Sequence, residues 1–178
     1  MRRMANFTLA GALVLAPLAQ AQTDKPAAPA AGQPRLSGQT FEGRPFDPGS
    51  LRGKVLLVVF WSTACPVCRD KMGELRANYE GWHGQPFEMV LVNQDRRLQD
   101  VQAYEQILAL TVPRAQRFPQ LWTGQPAYAD SFGAQTALPA TCIINKNGTV
   151  EKTYRGHSAR GLGARFADLG LSVVNGWP

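Results

Sequence analysis

The sequence predicts an α/β fold with a mixed central sheet flanked by helices. Three observations predict it. Val55 to Phe60 is a solid apolar run of strand length, and Met72, Leu75, Tyr79 and Trp82 follow it at helical spacing. The order then recurs. Phe87 to Asn93 reads as a strand, and Val101, Tyr104 and Leu108 share one face of a helix spanning Leu98 to Leu110. Last, Ala140 to Asn145 and Thr149 to Tyr154 flank Asn147-Gly148, a two-residue hairpin signal. A βαβ unit followed by an antiparallel ββα unit makes a mixed sheet with helices on both faces.

The chain begins differently. Arg2 and Arg3 precede an apolar stretch from Phe7 to Leu18, and Ala19-Gln20-Ala21 forms an A-x-A site. Residues 1–21 therefore read as a secretory signal cleaved after Ala21, because the apolar stretch is short for a membrane span. Residues 22–35 are Ala/Pro-rich and lack large apolar side chains, so they read as an extended linker. The folded domain is expected over 36–178. It opens with a small β-hairpin at Thr40–Phe46, with Gly43 at the turn. Gly73 interrupts the first long helix at a cost of about 1 kcal/mol against Ala. Phe118 to Trp122 is a short strand that Pro119 confines to an edge or a loop. Tyr128 to Phe132 reads as a helical turn ending at Gly133. Ser158 is placed to cap a final helix with Leu162, Phe166 and Leu169 inward.

The 178 residues are 44% hydrophobic, which supports one packed domain. The net charge of +6 falls to +4 without Arg2 and Arg3, and the remaining charges are scattered. That pattern speaks for solubility and against a nucleic-acid partner.

The chemistry concentrates in Trp61-Ser62-Thr63-Ala64-Cys65-Pro66-Val67-Cys68. Cys65 sits where a strand hands over to a helix. Pro66 suits the first helical position, where a missing N–H costs nothing. Free N–H groups and the positive end of the helix dipole stabilise a thiolate there. Cys68 lies one turn on and on the same face, within disulfide reach. Zinc would need four ligands, and beyond the pair the chain offers Cys142, His83 and His157, with no second CxxC. A static disulfide closing so small a loop would stabilise little. The pair therefore reads as redox-active, with no metal and no cofactor. An exported CxxC also stands where disulfides persist. Cys142, within a strand, reads as core packing.

Three stretches resemble the TlpA-like, thioredoxin-superfamily thiol-disulfide oxidoreductases, an exported group that includes the cytochrome c maturation thioredoxins. They are Leu51-Arg52-Gly53-Lys54-Val55 with Phe60-Trp61-Ser62-Thr63, then Cys65-Pro66-Val67-Cys68-Arg69, then Leu138-Pro139-Ala140-Thr141 with Ile143 to Gly148. The resemblance spans about residues 36–160. It implies a thioredoxin fold with an N-terminal β-hairpin extension. It implies Cys65 as the exposed nucleophile and Cys68 as the buried resolving thiol. Pro139 would be cis and face the motif, the backbone of Leu138 would pair with a bound peptide, and Pro66 and Val67 would line the same docking surface. Trp61 would either pack beside the active site or fill core. Partners would be protein thiols and disulfides, with a membrane electron donor, and the protein would act as an exported, periplasmic monomer.

The sequence departs from that family in places. Ala64 replaces a common aromatic residue, Lys71 a common Glu, Gly73 a helix-kinking proline and Val59 a buried polar residue. These changes predict a site without its usual carboxylate base, with Lys71 favouring thiolates and a more oxidising couple. The alternative is a copper-handling metallochaperone on the same fold, with Cys142 or His157 as third ligand. A peroxiredoxin has Pro and Thr seven and three residues before its cysteine. Val58 and Ser62 stand there instead, which sets that reading aside.

Overall fold

The computed structural model describes residues 33–156. The expected signal, most of the linker, His157 and the helix expected from Ser158 with Leu162, Phe166 and Leu169 lie outside the described residues. In chain order the elements are β1 (Leu36–Gln39), β2 (Pro45–Phe46), β3 (Val55–Trp61), α1 (Pro66–Gly81), β4 (Phe87–Asn93), α2 (Leu98–Thr111), β5 (Gln120–Trp122), β6 (Ala129–Asp130), β7 (Ala140–Ile144) and β8 (Val150–Arg155).

β3 is central because all seven of its residues are apolar and buried, as a strand covered on both faces requires. The main sheet runs β5-β4-β3-β7-β8. β4 pairs parallel to β3 from Val55↔Phe87 to Trp61↔Asn93, and β7 pairs antiparallel with Phe60 opposite Ala140. Alternation divides the core into two clusters. Val55, Leu57, Val59 and Trp61 join Met89, Leu91 and Ile143 on one face. Leu56, Val58 and Phe60 join Val90, Val92, Ala140, Cys142 and Ile144 on the other. Each large aliphatic side chain so buried contributes about 1.5–3 kcal/mol.

The steps β3→α1→β4 and β4→α2→β5 run in one direction across the sheet. Right-handed crossovers then put both helices on the same face. α1 buries Cys68, Met72 and Leu75 there and α2 adds Val101. The opposite face is covered by Leu36 and Phe46 with Leu51, Tyr128, Phe132 and Leu138. Among the described residues both α-helices thus lie on one face, and the short 3-10 helix Pro48–Leu51 meets the other through Leu51. Among the described residues, too, no helix is long and apolar enough to cross a membrane.

Three local expectations are corrected. Tyr128–Phe132 forms no helical turn: β6 pairs with β1, and Ser131 N–H donates to the Arg35 carbonyl, so its backbone partners lie on a distant strand. The Asn147-Gly148 connection is a three-residue loop. Asn145 N–H bonds the Thr149 carbonyl at 3.0 Å, and Gly148 takes the positive φ of 88°. The last linker residues dock on the fold: Pro34 is buried, Gln33 Nε2 donates to the Asn147 carbonyl, and Arg35 N–H donates to Ser131 Oγ. The N-terminal hairpin is present, with Thr40 N–H to the Arg44 carbonyl at 2.8 Å and β1 and β2 as its arms.

Candidate active site

Parallel β3 and β4 end level, and chemistry gathers at the carboxyl ends of parallel strands. From Trp61 the chain crosses Ser62-Thr63-Ala64 and enters α1 at Pro66. Cys65 is the N-cap, in extended conformation, and its sulfur accepts the Cys68 N–H at 3.1 Å. An N-cap serine uses its oxygen in the same way, to satisfy one of the orphan donors of the first turn. Cys65 and Cys68 form a disulfide with Cα atoms 5.2 Å apart. The two sulfurs differ in access: Cys65 is half-buried, whereas Cys68 is 1% exposed. Ala64, Pro66 and Val67 are exposed around Cys65, Val67 to 38%.

The Leu138–Pro139 bond is cis. Pro139 immediately precedes Ala140, which pairs with Phe60, so it lies at the sheet end where the motif lies. Leu138 packs half-buried against both core clusters, one of which contains Cys68.

Trp61 is 0% exposed. Its ring meets Tyr104 at 5.0 Å between centroids and its indole N–H donates to Gln120 Oε1 at 3.1 Å. It fills the core in the same cluster as Cys68, with Cys65 packed against that cluster. Gln120 Nε2 in turn donates to Glu105. Burial holds the Glu105 carboxyl above its usual range; the Gln120 hydrogen bond opposes that, Glu42 adds to it, and Arg76 and Arg117 oppose it.

Lys71 and Val59 stand where the family's acids are common, and a carboxylate engages the motif loop from another part of the chain. Asp95, just beyond β4, accepts from Ser62 Oγ at 2.5 Å and from the Thr63 N–H at 3.0 Å. Arg69 Nη1 donates to the Thr63 carbonyl from the α1 side. The Lys71 ammonium is bonded to Glu74 at 2.9 Å. Asp95 and Gln120 were missed because they come from distant parts of the chain, the loop after β4 and strand β5. The signal for Asp95 was the Asn93-Gln94-Asp95 run at the end of the strand next to the motif's own.

Cys142 is not part of the site. It belongs to the cluster on the far face, with Thr153 Oγ1 at 3.5 Å, and burial pushes its thiol up. That removes it as a third copper ligand. His157 lies outside the described residues.

A helix-capping cysteine is paired with a buried one, and a cis-proline lies at the same end of the sheet. The AhpC/TSA family profile matches residues 27–153. The chain belongs to the AhpC/TSA family. Within reach of this AhpC/TSA chain, thiol-disulfide oxidoreductase ResA of Halalkalibacterium halodurans is 26% identical over 131 residues, 74% of this chain and 70% of that protein. Sporulation thiol-disulfide oxidoreductase A of Bacillus subtilis is 25% identical over 141 residues, 78% of each. Among solved structures, a thioredoxin-family thiol:disulfide interchange protein from Chlorobium tepidum superposes with a TM-score of 0.55. It is 25% identical and covers 72% of this chain and 89% of that one. The fold is thioredoxin-like and this AhpC/TSA chain is a thiol-disulfide oxidoreductase.

Proposed function

We propose that the chain is an exported oxidoreductase in which Cys65 attacks and Cys68 resolves. The observation that carries this reading is the unequal access of two bonded sulfurs at the head of α1. In the reducing direction, the Cys65 thiolate attacks one sulfur of a partner disulfide. A mixed disulfide forms, the partner bond breaks, and its other sulfur leaves as a thiolate. The Cys68 thiolate then attacks the Cys65 sulfur, re-forming the Cys65–Cys68 bond and releasing the second partner thiol. Two electrons and two protons pass to the partner, and the reverse order oxidises a dithiol.

The helix head stabilises the thiolate through its N–H groups and dipole. Exposed Ala64, Pro66 and Val67, with the backbone of Leu138 and Pro139, supply the surface for an extended peptide. Partners are protein dithiols and disulfides, among them those of cytochrome c maturation, and a membrane protein is the electron donor. The protein acts as a monomer. Export rests on the signal pattern of residues 1–21, with the fold set off from it by the linker.

Insulin reduction with dithiothreitol tests the activity. Wild type accelerates it and Cys65→Ser does not; equal rates overturn the reading. In cells, Cys68→Ala accumulates mixed disulfides at Cys65, and their absence overturns the order of attack.

A further inference from the structure

The loop that presents Cys65 is held chiefly by one side chain from the loop that follows β4. Asp95 is 8% exposed. Its carboxylate accepts from Ser62 Oγ at 2.5 Å, from the Thr63 N–H at 3.0 Å and from Asn93 Nδ2 at 3.0 Å. Its own backbone is pinned as well: its N–H donates to Asn93 Oδ1 at 2.9 Å, and its carbonyl accepts from Trp122 Nε1 at 2.8 Å. Ser62, so oriented, accepts the Ala64 N–H on Oγ and the Cys65 N–H on its carbonyl, each at 3.1 Å. The backbone donors of residues 63, 64 and 65 are all engaged away from sulfur, and Pro66 has none. The Cys68 N–H is left to the Cys65 sulfur.

We propose that Asp95 is the positioning residue of the redox pair: by holding Ser62 and Thr63 it fixes the loop in the shape the disulfide needs and turns neighbouring donors away from the Cys65 sulfur. The proposal rests on Cys65 being the attacking sulfur. Two effects follow, with one sign. A loop already fixed gains little freedom when the disulfide opens, so the dithiol is not favoured by entropy. Donors committed to a carboxylate do not stabilise a thiolate. Both effects favour the disulfide, so Asp95 makes the couple more reducing than the bare motif would be. This reverses the more oxidising couple that the substitutions around the motif predict.

Equilibration with glutathione tests it. Protein dithiol and glutathione disulfide exchange to protein disulfide and two glutathione thiols, and alkylation reads the fraction reduced. Asp95→Ala is expected to shift the constant at least fivefold toward the dithiol. Ser62→Ala shifts it the same way by less. Asp95→Asn keeps an oxygen for Ser62 and Thr63 and falls between wild type and Asp95→Ala. Constants within twofold of wild type in Asp95→Ala and Ser62→Ala, or shifts of opposite sign, overturn the proposal. Where circular dichroism shows Asp95→Ala unfolded, Ser62→Ala, at a half-exposed position, decides. Wild type that never equilibrates overturns the Cys65 reading and this one together. Wild type that equilibrates beside unmoved variants overturns the role of Asp95 alone.

Discussion

Cys68 and Cys142 bury their side chains on opposite faces of the central sheet. Cys142 stands opposite Val58 in the β3–β7 ladder, and Val58 and Cys142 both point away from α1. No rotamer brings its sulfur through a packed sheet to the redox pair. Burial also pushes its thiol up, which leaves little thiolate to react. The native protein is therefore expected to alkylate at Cys65 and Cys68 after reduction, and at Cys142 only in denaturant. Cys142→Ala should keep insulin reduction at the wild-type rate while losing about 1 kcal/mol of stability to poorer packing. Rapid native labelling of Cys142 would contradict the placement.

Gln120 joins the end of the motif strand to α2. It is 4% exposed and its side chain serves Trp61 on one side and Glu105 on the other. Gln120→Ala leaves the indole N–H buried without an acceptor, which costs about 1–3 kcal/mol. Urea unfolding followed by tryptophan fluorescence measures it. A midpoint equal to wild type would mean that the indole finds another acceptor.

Glu105 gives stability a pH dependence. Its folded carboxyl stays above the usual range chiefly through burial. The unfolded chain thus releases this proton first as pH rises, and the folded state binds more protons across that window. Stability contributed at this position is present at low pH and is lost as pH rises through the folded value. Glu105→Gln keeps an oxygen acceptor for Gln120 and removes the buried charge. It should be more stable than Glu105 protein at about pH 7 and no more stable at about pH 4. Paired urea titrations at the two values test the sign, and an equal gain at both would refute it.

The parts legible in the sequence are those whose own period decides their structure. Val55–Trp61, Phe87–Asn93, α1 and α2 each carry enough apolar residues to declare a face, and each appears within a residue or two of its expected span. Leu36-Ser37-Gly38-Gln39 and Ala129-Asp130 declare none. They become strands because each finds the other about ninety positions away. The site divides in the same way. Cys65, Pro66 and Cys68 are neighbours in sequence, so their spacing speaks directly. Asp95 reaches Ser62 only through the register Trp61↔Asn93, and a register is a property of two strands.

Gly73 and Gly148 occupy opposite situations, and the same substitution should move stability in opposite directions. Gly73 lies exposed inside α1, and a Cβ there would meet no atom within 4 Å. Alanine adds helix propensity without a clash, so Gly73→Ala should stabilise by about 1 kcal/mol. Gly148 has φ of 88°, and a Cβ would lie 2.9 Å from Gln33 Nε2. That left-handed backbone disfavours a side chain by about 1–2 kcal/mol. Gln33 must also shift from the Asn147 carbonyl that it holds at 3.0 Å. Gly148→Ala should therefore lower the urea midpoint while Gly73→Ala raises it. A destabilised Gly73→Ala would mean that the helix needs a flexible point one turn beyond Cys68. A neutral Gly148→Ala would mean that the β7–β8 loop can adopt a second turn geometry at no cost.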